Sequence, residues 1–160
     1  MRRTDGNLMG TRQPSLSLRD QGKRCKVFAD VITIKLTSED TNGAYALFED
    51  VTPPGAGAPP HIHHREDEVF NILEGEYEVQ CDGRLFKVTA GSTVHLPKNL
   101  THSLKNTGSS SGKILGLLIP GGSEKVWEEI SSKPPEPPSI DNINAITKKY
   151  GIEFLPLEKQ

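Results

Sequence analysis

The chain has 160 residues, about the length of one ordinary domain, with 19 basic and 21 acidic residues and a formal net charge of -2. This balance gives no electrostatic reason to expect nucleic acid or an anionic membrane surface as a partner. A hydrophobic content of 34%, with 15 glycines and 12 prolines, favours many turns and short strands over long helices.

No segment of the sequence is long and apolar enough to indicate a membrane span. The longest strongly apolar run, residues 114–119, is far shorter than the roughly 20 residues that a spanning helix needs. Arg2 and Arg3 are not followed by an apolar stretch, so we expect no secretory signal and a cytoplasmic protein. Cys25 and Cys81 are then predicted to be free thiols, although a disulfide between them stays open.

The first half of the chain predicts a polar arm followed by strands. Residues 1–24 are irregular and rich in Arg, Gly and Ser, which indicates an arm that is flexible, or ordered only where Leu16 and Leu18 join a sheet. Residues 31–36 are β-branched and apolar, and a second strand is expected over 44–51, after the Asn42-Gly43 turn. The Pro- and Gly-rich stretch 53–60 interrupts the pairing.

The central region predicts closely spaced strands with no helix between them. Strands are expected over residues 68–74, 77–81, 84–89, 93–96, 102–105 and 113–119. Asp82-Gly83 is a hairpin signal, and Gly75 and Ala90-Gly91 mark further turns. Short, evenly spaced strands of this kind are typical of an all-β sandwich or jelly-roll barrel.

After Gly122 the pattern changes to two short helices. Ser123 is a candidate cap for a helix in which Val126, Trp127 and Ile130 share one face. Beyond the proline-rich segment 134–138, Ser139 is a candidate cap for a second helix, with Gly151 as its stop signal. The apolar tail, which contains Ile152, Phe154, Leu155 and Leu157, is expected to dock on the barrel or on a neighbouring subunit.

Histidines at strand spacing indicate a metal site. His61 and His63 are two residues apart, so they project from one face of an extended strand, whereas His64 points the other way. Glu68 begins the next strand and shares a face with the residues at 70 and 72. His102 begins a later strand, where its imidazole could complete the set of metal ligands. Three nitrogens and one oxygen suit Fe, Mn, Ni, Cu or Zn rather than calcium or magnesium.

These two segments resemble the two sequence motifs of the cupin superfamily. The matching positions are Gly55, His61, His63, Glu68 and Gly75 in the first motif and Gly91, Pro97, His102 and Asn106 in the second. Asn99 stands where the family usually has Gly, and Asn tolerates a left-handed backbone better than most residues. The segment 41–45 before the first motif, and Pro120-Gly121-Gly122 with a Trp-containing helix after the second, resemble the small quercetin-dioxygenase-like cupins, so the similarity covers roughly residues 27–130.

The resemblance implies a fold, a metal and a class of reaction. The fold is a double-stranded β-helix, the cupin jelly-roll barrel, over residues 25–120, with the arm over 1–24 and two short C-terminal helices and a tail over 121–160. One divalent transition metal per chain is implied, with His61, His63, Glu68 and His102 as ligands. The motif spacing favours Glu68 over Glu66 and Asp67, which are then interpreted as solvated turn residues. A homodimer with a small-molecule substrate is implied.

The implied activity is a dioxygenation of a small enolic or phenolic molecule, with Glu68 as both ligand and general base. Other metal-dependent cupin reactions, such as decarboxylation, lyase or isomerase chemistry, stay open, as does a non-catalytic small-molecule-binding barrel. His95 is interpreted as packing outside the barrel, with a role as acid or base inside the cavity as the alternative. His64 is interpreted as an exposed turn residue.

Overall fold

The computed structural model describes residues 13–134 and 139–156, and within them the chain forms strands followed by two short helices. The strands up to the helices are β1 (Lys23–Val27), β2 (Asp30–Leu36), β3 (Ala46–Thr52), β4 (His61–His63), β5 (Asp67–Glu74), β6 (Glu76–Cys81), β7 (Arg84–Thr89), β8 (Thr93–Leu96), β9 (His102–Asn106) and β10 (Gly112–Ile119). The C-terminal elements are α1 (Lys125–Ser132), α2 (Ile140–Thr147), a 3-10 turn (Lys148–Tyr150) and β11 (Ile152–Phe154).

The strands form two antiparallel sheets that face each other. One sheet has the order β1-β2-β3-β10-β5-β8, and the other has the order β11-β4-β9-β6-β7. From β3 to β10 the chain alternates between the two sheets, except at the β6–β7 hairpin, and this is the connectivity of a double-stranded β-helix. The predicted all-β jelly-roll fold with two short C-terminal helices is therefore confirmed.

Alternating side chains of the strands form the core between the sheets. In β3 every second residue from Ala46 to Thr52 is buried, and in β5 the buried residues are Glu68, Phe70 and Ile72. The same alternation of buried and less buried residues is found in the other central strands. The face that points into the barrel is mostly apolar, but it also carries a few polar side chains. These inward-facing polar side chains include His61, His63, Glu68 and His102.

Two turns have the backbone geometry that their residues favour. Asp82 and Gly83 both have positive φ, 50° and 74°, as a two-residue type I′ hairpin between β6 and β7 requires. Asn99 has φ of 66° and its amide N–H donates to the carbonyl oxygen of His63 at 2.8 Å. The substitution of Asn for Gly in the second motif is thus accommodated in the left-handed region.

The C-terminal elements cover one opening of the barrel. Val126, Trp127 and Ile130 of α1 are buried as predicted, and the ring of Trp127 lies edge-on to Phe48 at a centroid distance of 4.6 Å. The tail docks on the barrel as β11, which pairs antiparallel with β4. The side chain of Asn144 in α2 donates to the carbonyl oxygen of Phe154 and accepts from its N–H, both at 2.8 Å.

One of the two predicted helix caps is wrong. Ser139 accepts a hydrogen bond from the N–H of Asn142 at 3.1 Å and caps α2 as predicted, and Gly151 follows the 3-10 turn with φ of 78°. In contrast, α1 has Glu124 at its N-cap, and the Ser123 hydroxyl is buried without a hydrogen-bond partner among the described residues. Glu124 instead accepts from the backbone N–H groups of Ser38 and Gly122, which ties α1 to the loop after β2.

The predicted arm over residues 1–24 lies partly outside the described residues, since description begins at residue 13, and Leu157 of the tail also lies outside them. Within the described part, the ammonium group of Lys35 donates to the carbonyl oxygens of Leu18 and Gln21, both at 2.6 Å. Cys25 and Cys81 are buried free thiols. No helix in the described ranges is long and apolar enough to cross a membrane.

Asn106, at the end of β9, holds the backbone of two other segments. Its amide nitrogen donates to the carbonyl oxygens of Thr52 at 2.8 Å and Ser110 at 2.9 Å, and its oxygen accepts from the N–H of Gly108 at 2.8 Å. The side chain is fully buried. The motif residue Asn106 therefore has a structural role, since it satisfies three backbone groups around the β9–β10 loop.

We expect Asn106→Asp to lower the free energy of unfolding by about 2–4 kcal/mol, because two buried carbonyl oxygens lose their donor and face a carboxylate. Urea denaturation monitored by circular dichroism measures this loss. The matched control is Asn71→Asp, since Asn71 donates to the Thr93 hydroxyl near the surface and should change stability by no more than about 0.5 kcal/mol. Equal losses in both variants would contradict the role of Asn106.

Candidate metal centre

Three strands bring the four predicted ligand side chains together inside the barrel. His61 and His63 lie on β4 with Ile62 between them, and both imidazoles are buried. His102 begins β9 and lies directly opposite His61 in the antiparallel pair. Glu68 points inward from β5 in the other sheet, so the cluster joins the two sheets.

The ligand atoms of these side chains are close enough to surround one ion. One such atom from each of His61, His63, Glu68 and His102 lies within 4.8 Å of the other three. Glu68 Oε2 is 3.1 Å from His102 Nε2 and 3.7 Å from His63 Nε2. Ligands bound at about 2.0–2.2 Å are separated by at most about 4.4 Å, so only a small adjustment would be needed. The cluster is therefore able to hold a transition metal.

Backbone carbonyl groups fix the tautomers of two of the three imidazoles in the form that metal binding needs. Nδ1 of His61 lies 2.8 Å from the carbonyl oxygen of Pro59, and Nδ1 of His102 lies 3.3 Å from that of Leu100. A carbonyl oxygen can only accept, so both Nδ1 atoms carry the proton and donate it. Nε2 is then left with its lone pair directed to the centre of the cluster.

Glu66 is buried beside the cluster, and its interpretation as a solvated turn residue is wrong. Its side chain is 3% exposed, and Oε1 lies 2.5 Å from Nδ1 of His63. The turn between β4 and β5 folds Glu66 inward, which sequence spacing alone did not reveal. A carboxylate in this position orients the imidazole and increases its basicity as a ligand.

Burial and the neighbouring carboxylates shift the pKa values of two imidazoles in opposite directions. Burial, followed by the charges of His102 and His63, holds the pKa of His61 well below its usual range. Burial is also the largest single influence on His63 and lowers its pKa, but the charge of Glu68 and the hydrogen bond to Glu66 outweigh it and raise the pKa. His61 is thus neutral and ready to bind a metal, whereas a proton competes for His63.

We expect Glu66→Gln to weaken metal binding by about 10- to 100-fold, because the neutral amide no longer supports the basicity of His63. Competition with a chromophoric chelator measures the affinity. Glu153→Gln is the matched control, since Glu153 contacts the exposed His64 at 3.2 Å on the surface and should leave the affinity unchanged. Wild-type affinity in Glu66→Gln would show that the contact with His63 has no effect on the site.

A cavity of about 70 Å³ adjoins the cluster and is enclosed mainly by apolar side chains. His61, His63 and Glu68 line it, together with Phe48, Phe70, Leu104, Trp127, Ile152 and Phe154. The Phe154 ring stacks on His61 with a centroid distance of 5.1 Å and an interplanar angle of 22°. The C-terminal elements therefore form part of the wall next to the cluster.

Sequence reasoning missed two acidic residues that line this cavity, Asp30 in β2 and Asp50 in β3. The alternation along the strands could have revealed them. Asp30 lies on the same face of β2 as Ile32 and Ile34, and Asp50 lies on the same face of β3 as Ala46 and Phe48. Both therefore had to face inward with the apolar residues of their strands.

The remaining predicted polar residues lie outside the cluster. His95 is exposed on the outer face of β8, as predicted, and its Nε2 lies 3.0 Å from Asp67 Oδ2. Asp67 lies at the start of β5 and also accepts from the N–H of Lys98 at 2.9 Å. His64 is exposed as predicted, within reach of Asn99 and Glu153.

The amino-acid sequence matches a known family model over the part of the chain that contains the cluster. Residues 48–119, which contain the four clustered side chains, match the family model described as a cupin domain. The structure of KdgF from Halomonas sp. superposes with a TM-score of 0.64 at 17% sequence identity, covering 71% of this chain and 99% of that one. At this identity the structural likeness supports the fold alone.

Two curated proteins are similar in sequence to part of the chain. Quercetin 2,3-dioxygenase from Bacillus subtilis is 28% identical over 101 residues, which are 63% of this chain and 30% of that protein. An oxalate-binding protein from Thermotoga maritima is 31% identical over 67 residues, which are 42% of this chain and 55% of that protein. The chain thus spans only about a third to a half of the length of these relatives.

Proposed function

Since this chain belongs to the cupin superfamily, we propose that it is a metal-dependent enzyme that oxygenates a small enolic or phenolic molecule. The observation that carries the proposal is a buried cluster of three imidazoles and one carboxylate that opens onto an apolar cavity. The similarity to a quercetin 2,3-dioxygenase supports this choice among the reactions of the superfamily. The predicted homodimer and cytoplasmic location stay predictions.

In this proposal His61, His63, Glu68 and His102 hold one divalent transition metal. Bound there, a redox-active metal supplies Lewis acidity and the electron-transfer capacity that O₂ chemistry requires. The three histidines fix the position of the metal through their outer hydrogen bonds. Among the described residues, the acidic side chains that line the cavity are Glu68 and the two buried aspartates, Asp30 and Asp50.

Glu68 accepts the hydroxyl proton of the substrate. Its carboxylate lies at the junction of cluster and cavity, where a phenolic or enolic hydroxyl group meets it. The apolar walls exclude water, which strengthens the electrostatic interactions of the substrate anion with the cluster. Glu68 is therefore the positioned general base of the proposed reaction.

The cavity favours a compact substrate. A volume of about 70 Å³ is well below the roughly 300–1,000 Å³ that is common for sites of drug-sized ligands. A single-ring phenol or a short enol is thus preferred over a multi-ring molecule. The C-terminal elements that cover this end of the barrel set that limit, because Trp127, Ile152 and Phe154 form part of the wall.

The experiment that tests the proposal is elemental analysis of purified protein, followed by O₂-uptake measurements with single-ring phenols and enols as substrates. We expect a redox-active metal at up to one ion per chain and O₂ consumption that depends on both metal and substrate. The second candidate is a non-catalytic small-molecule binder, which the similarity to an oxalate-binding protein favours. Bound ligand without O₂ consumption under any metal would support that candidate instead.

A further inference from the structure

Two aspartates share the inner face of the barrel next to the metal cluster. Asp30 begins β2 and Asp50 lies in β3, where it pairs with Ile32 of β2 and Ile114 of β10. Because Ile32 is two residues from Asp30, the aspartates are diagonal neighbours on one face, with Cα atoms about 7–8 Å apart. Both side chains line the same cavity as His61, His63 and Glu68.

Each of these carboxyl groups has one buried oxygen atom without a hydrogen-bond partner among the described residues. Asp30 is 6% exposed and Asp50 is 7% exposed, and Oδ1 of each is buried with no hydrogen-bond partner among the described residues. The surrounding cavity wall is apolar, with Phe48, Ile32 and Trp127 among its members. A carboxyl oxygen left unpaired in such surroundings lowers the stability of the protein, so the positions of the two aspartates require a reason other than packing.

The pKa values of both carboxyl groups are raised, but to different extents. Burial raises the pKa of Asp30 to about 6, so its carboxylate is mostly ionised near neutral pH. Burial, followed by the charges of Asp30 and Glu68, raises the pKa of Asp50 well above its usual range, which favours the protonated form of this carboxyl group. The pair thus offers one acceptor and one donor, which is the complement of a single hydroxyl group.

We propose that Asp30 and Asp50 bind a second hydroxyl group of the substrate, so that the cavity selects compact dihydroxy compounds over monohydroxy ones. This inference rests on the proposed function, since it assigns the first oxygen of the substrate to the metal cluster. The second hydroxyl donates to the Asp30 carboxylate and accepts from the Asp50 carboxyl group. An apolar ring between the two oxygens packs against the aromatic walls.

The test compares the affinities of phenol, catechol, resorcinol and hydroquinone by calorimetric titration under nitrogen, with the protein loaded with redox-inert Zn²⁺. We expect at least one diol to bind about tenfold more tightly than phenol, the effect of one well-placed hydrogen bond to a buried charged group. Asp30→Leu and Asp50→Leu, which keep a similar shape, should each reduce this preference to less than about twofold. Asp82→Asn in the exposed β6–β7 turn is the control and should keep it.

Thermal unfolding of the same variants separates ligand recognition from a structural role. Removal of a buried carboxyl group with an unpaired oxygen should raise Tm by about 2–4 °C in the ligand-free protein, whereas loss of a structural contact would lower it. Asp30→Asn and Asp50→Asn serve as second variants if a leucine variant fails to fold.

Two results would overturn the inference: no diol binds more tightly than phenol, or the preference persists in both aspartate variants. If the protein binds no zinc, the same titrations are made without metal, because the aspartates lie outside the cluster. A diol preference that depends on the aspartates, together with no O₂ consumption, would reject the oxygenase proposal and support this inference. Turnover without any diol preference would support the oxygenase proposal and reject the inference about Asp30 and Asp50.

Discussion

Glu68→Gln is expected to lower turnover by about two to four orders of magnitude while much of the metal is kept. The amide oxygen of Gln can still coordinate, and three imidazoles remain around it. The amide cannot take up the substrate proton, so the variant loses the positioned general base, whose contribution is commonly in this range. Metal content by elemental analysis and kcat by O₂ uptake are measured on the same preparation.

The matched control for this change is Glu74→Gln, at the exposed end of the same strand. It should keep both the metal content and kcat of the parent. Parental turnover in a metal-replete Glu68→Gln variant would contradict the assignment of Glu68 as base. Complete loss of metal in that variant would leave Glu68 supported as a ligand alone, because the loss of activity would then follow from the empty site.

The combined substitution His61→Ala and His63→Ala is expected to abolish stoichiometric metal binding. Both of these proposed ligands lie on β4, and their removal leaves only Glu68 and His102, which is too few for a stable transition-metal site. We expect metal content to fall below about a tenth of the parental level after dialysis. Bound metal should stabilise the parent protein but not the double variant. In metal-containing buffer the double variant should therefore have the lower Tm.

The exposed histidines provide the control for this experiment. His64→Ala combined with His95→Ala removes the same number of imidazoles from the surface and should leave metal content unchanged. Unchanged metal content in the β4 double variant would mean that the metal is bound elsewhere.

Acidification should weaken metal binding by the parent protein. The direction of this effect follows from the raised pKa of His63. Only the deprotonated imidazole binds, and the pKa of His63 is raised above its ordinary value of about 6.5. Proton competition therefore begins above that pH and strengthens as the pH falls through the raised pKa. Metal titrations at a series of pH values measure the effect, and an affinity that rises on acidification would contradict it.

Local sequence spacing determined the secondary-structure elements and the four candidate ligand side chains that the structure brings together. The i, i+2 spacing of His61 and His63 places both imidazoles on one face of a strand, and that is a property of the extended backbone itself. The Asp82-Gly83 turn and the cap at Ser139 likewise depend on residues next to each other in the chain. Such features could be predicted because their geometry is set within a few residues.

Tertiary structure decided which polar side chains are buried and what covers them. Glu66 was expected in solvent, but the turn folds it against His63, because the buried imidazole supplies its hydrogen-bond partner. Asp30 and Asp50 meet in one cavity only because β2 and β3 pair in a particular register. The Phe154 ring reaches His61, 93 positions away in sequence, through the pairing of β11 with β4. Strand parity tells which face a residue lies on, but the burial and charge of that face depend on long-range packing that no short segment encodes.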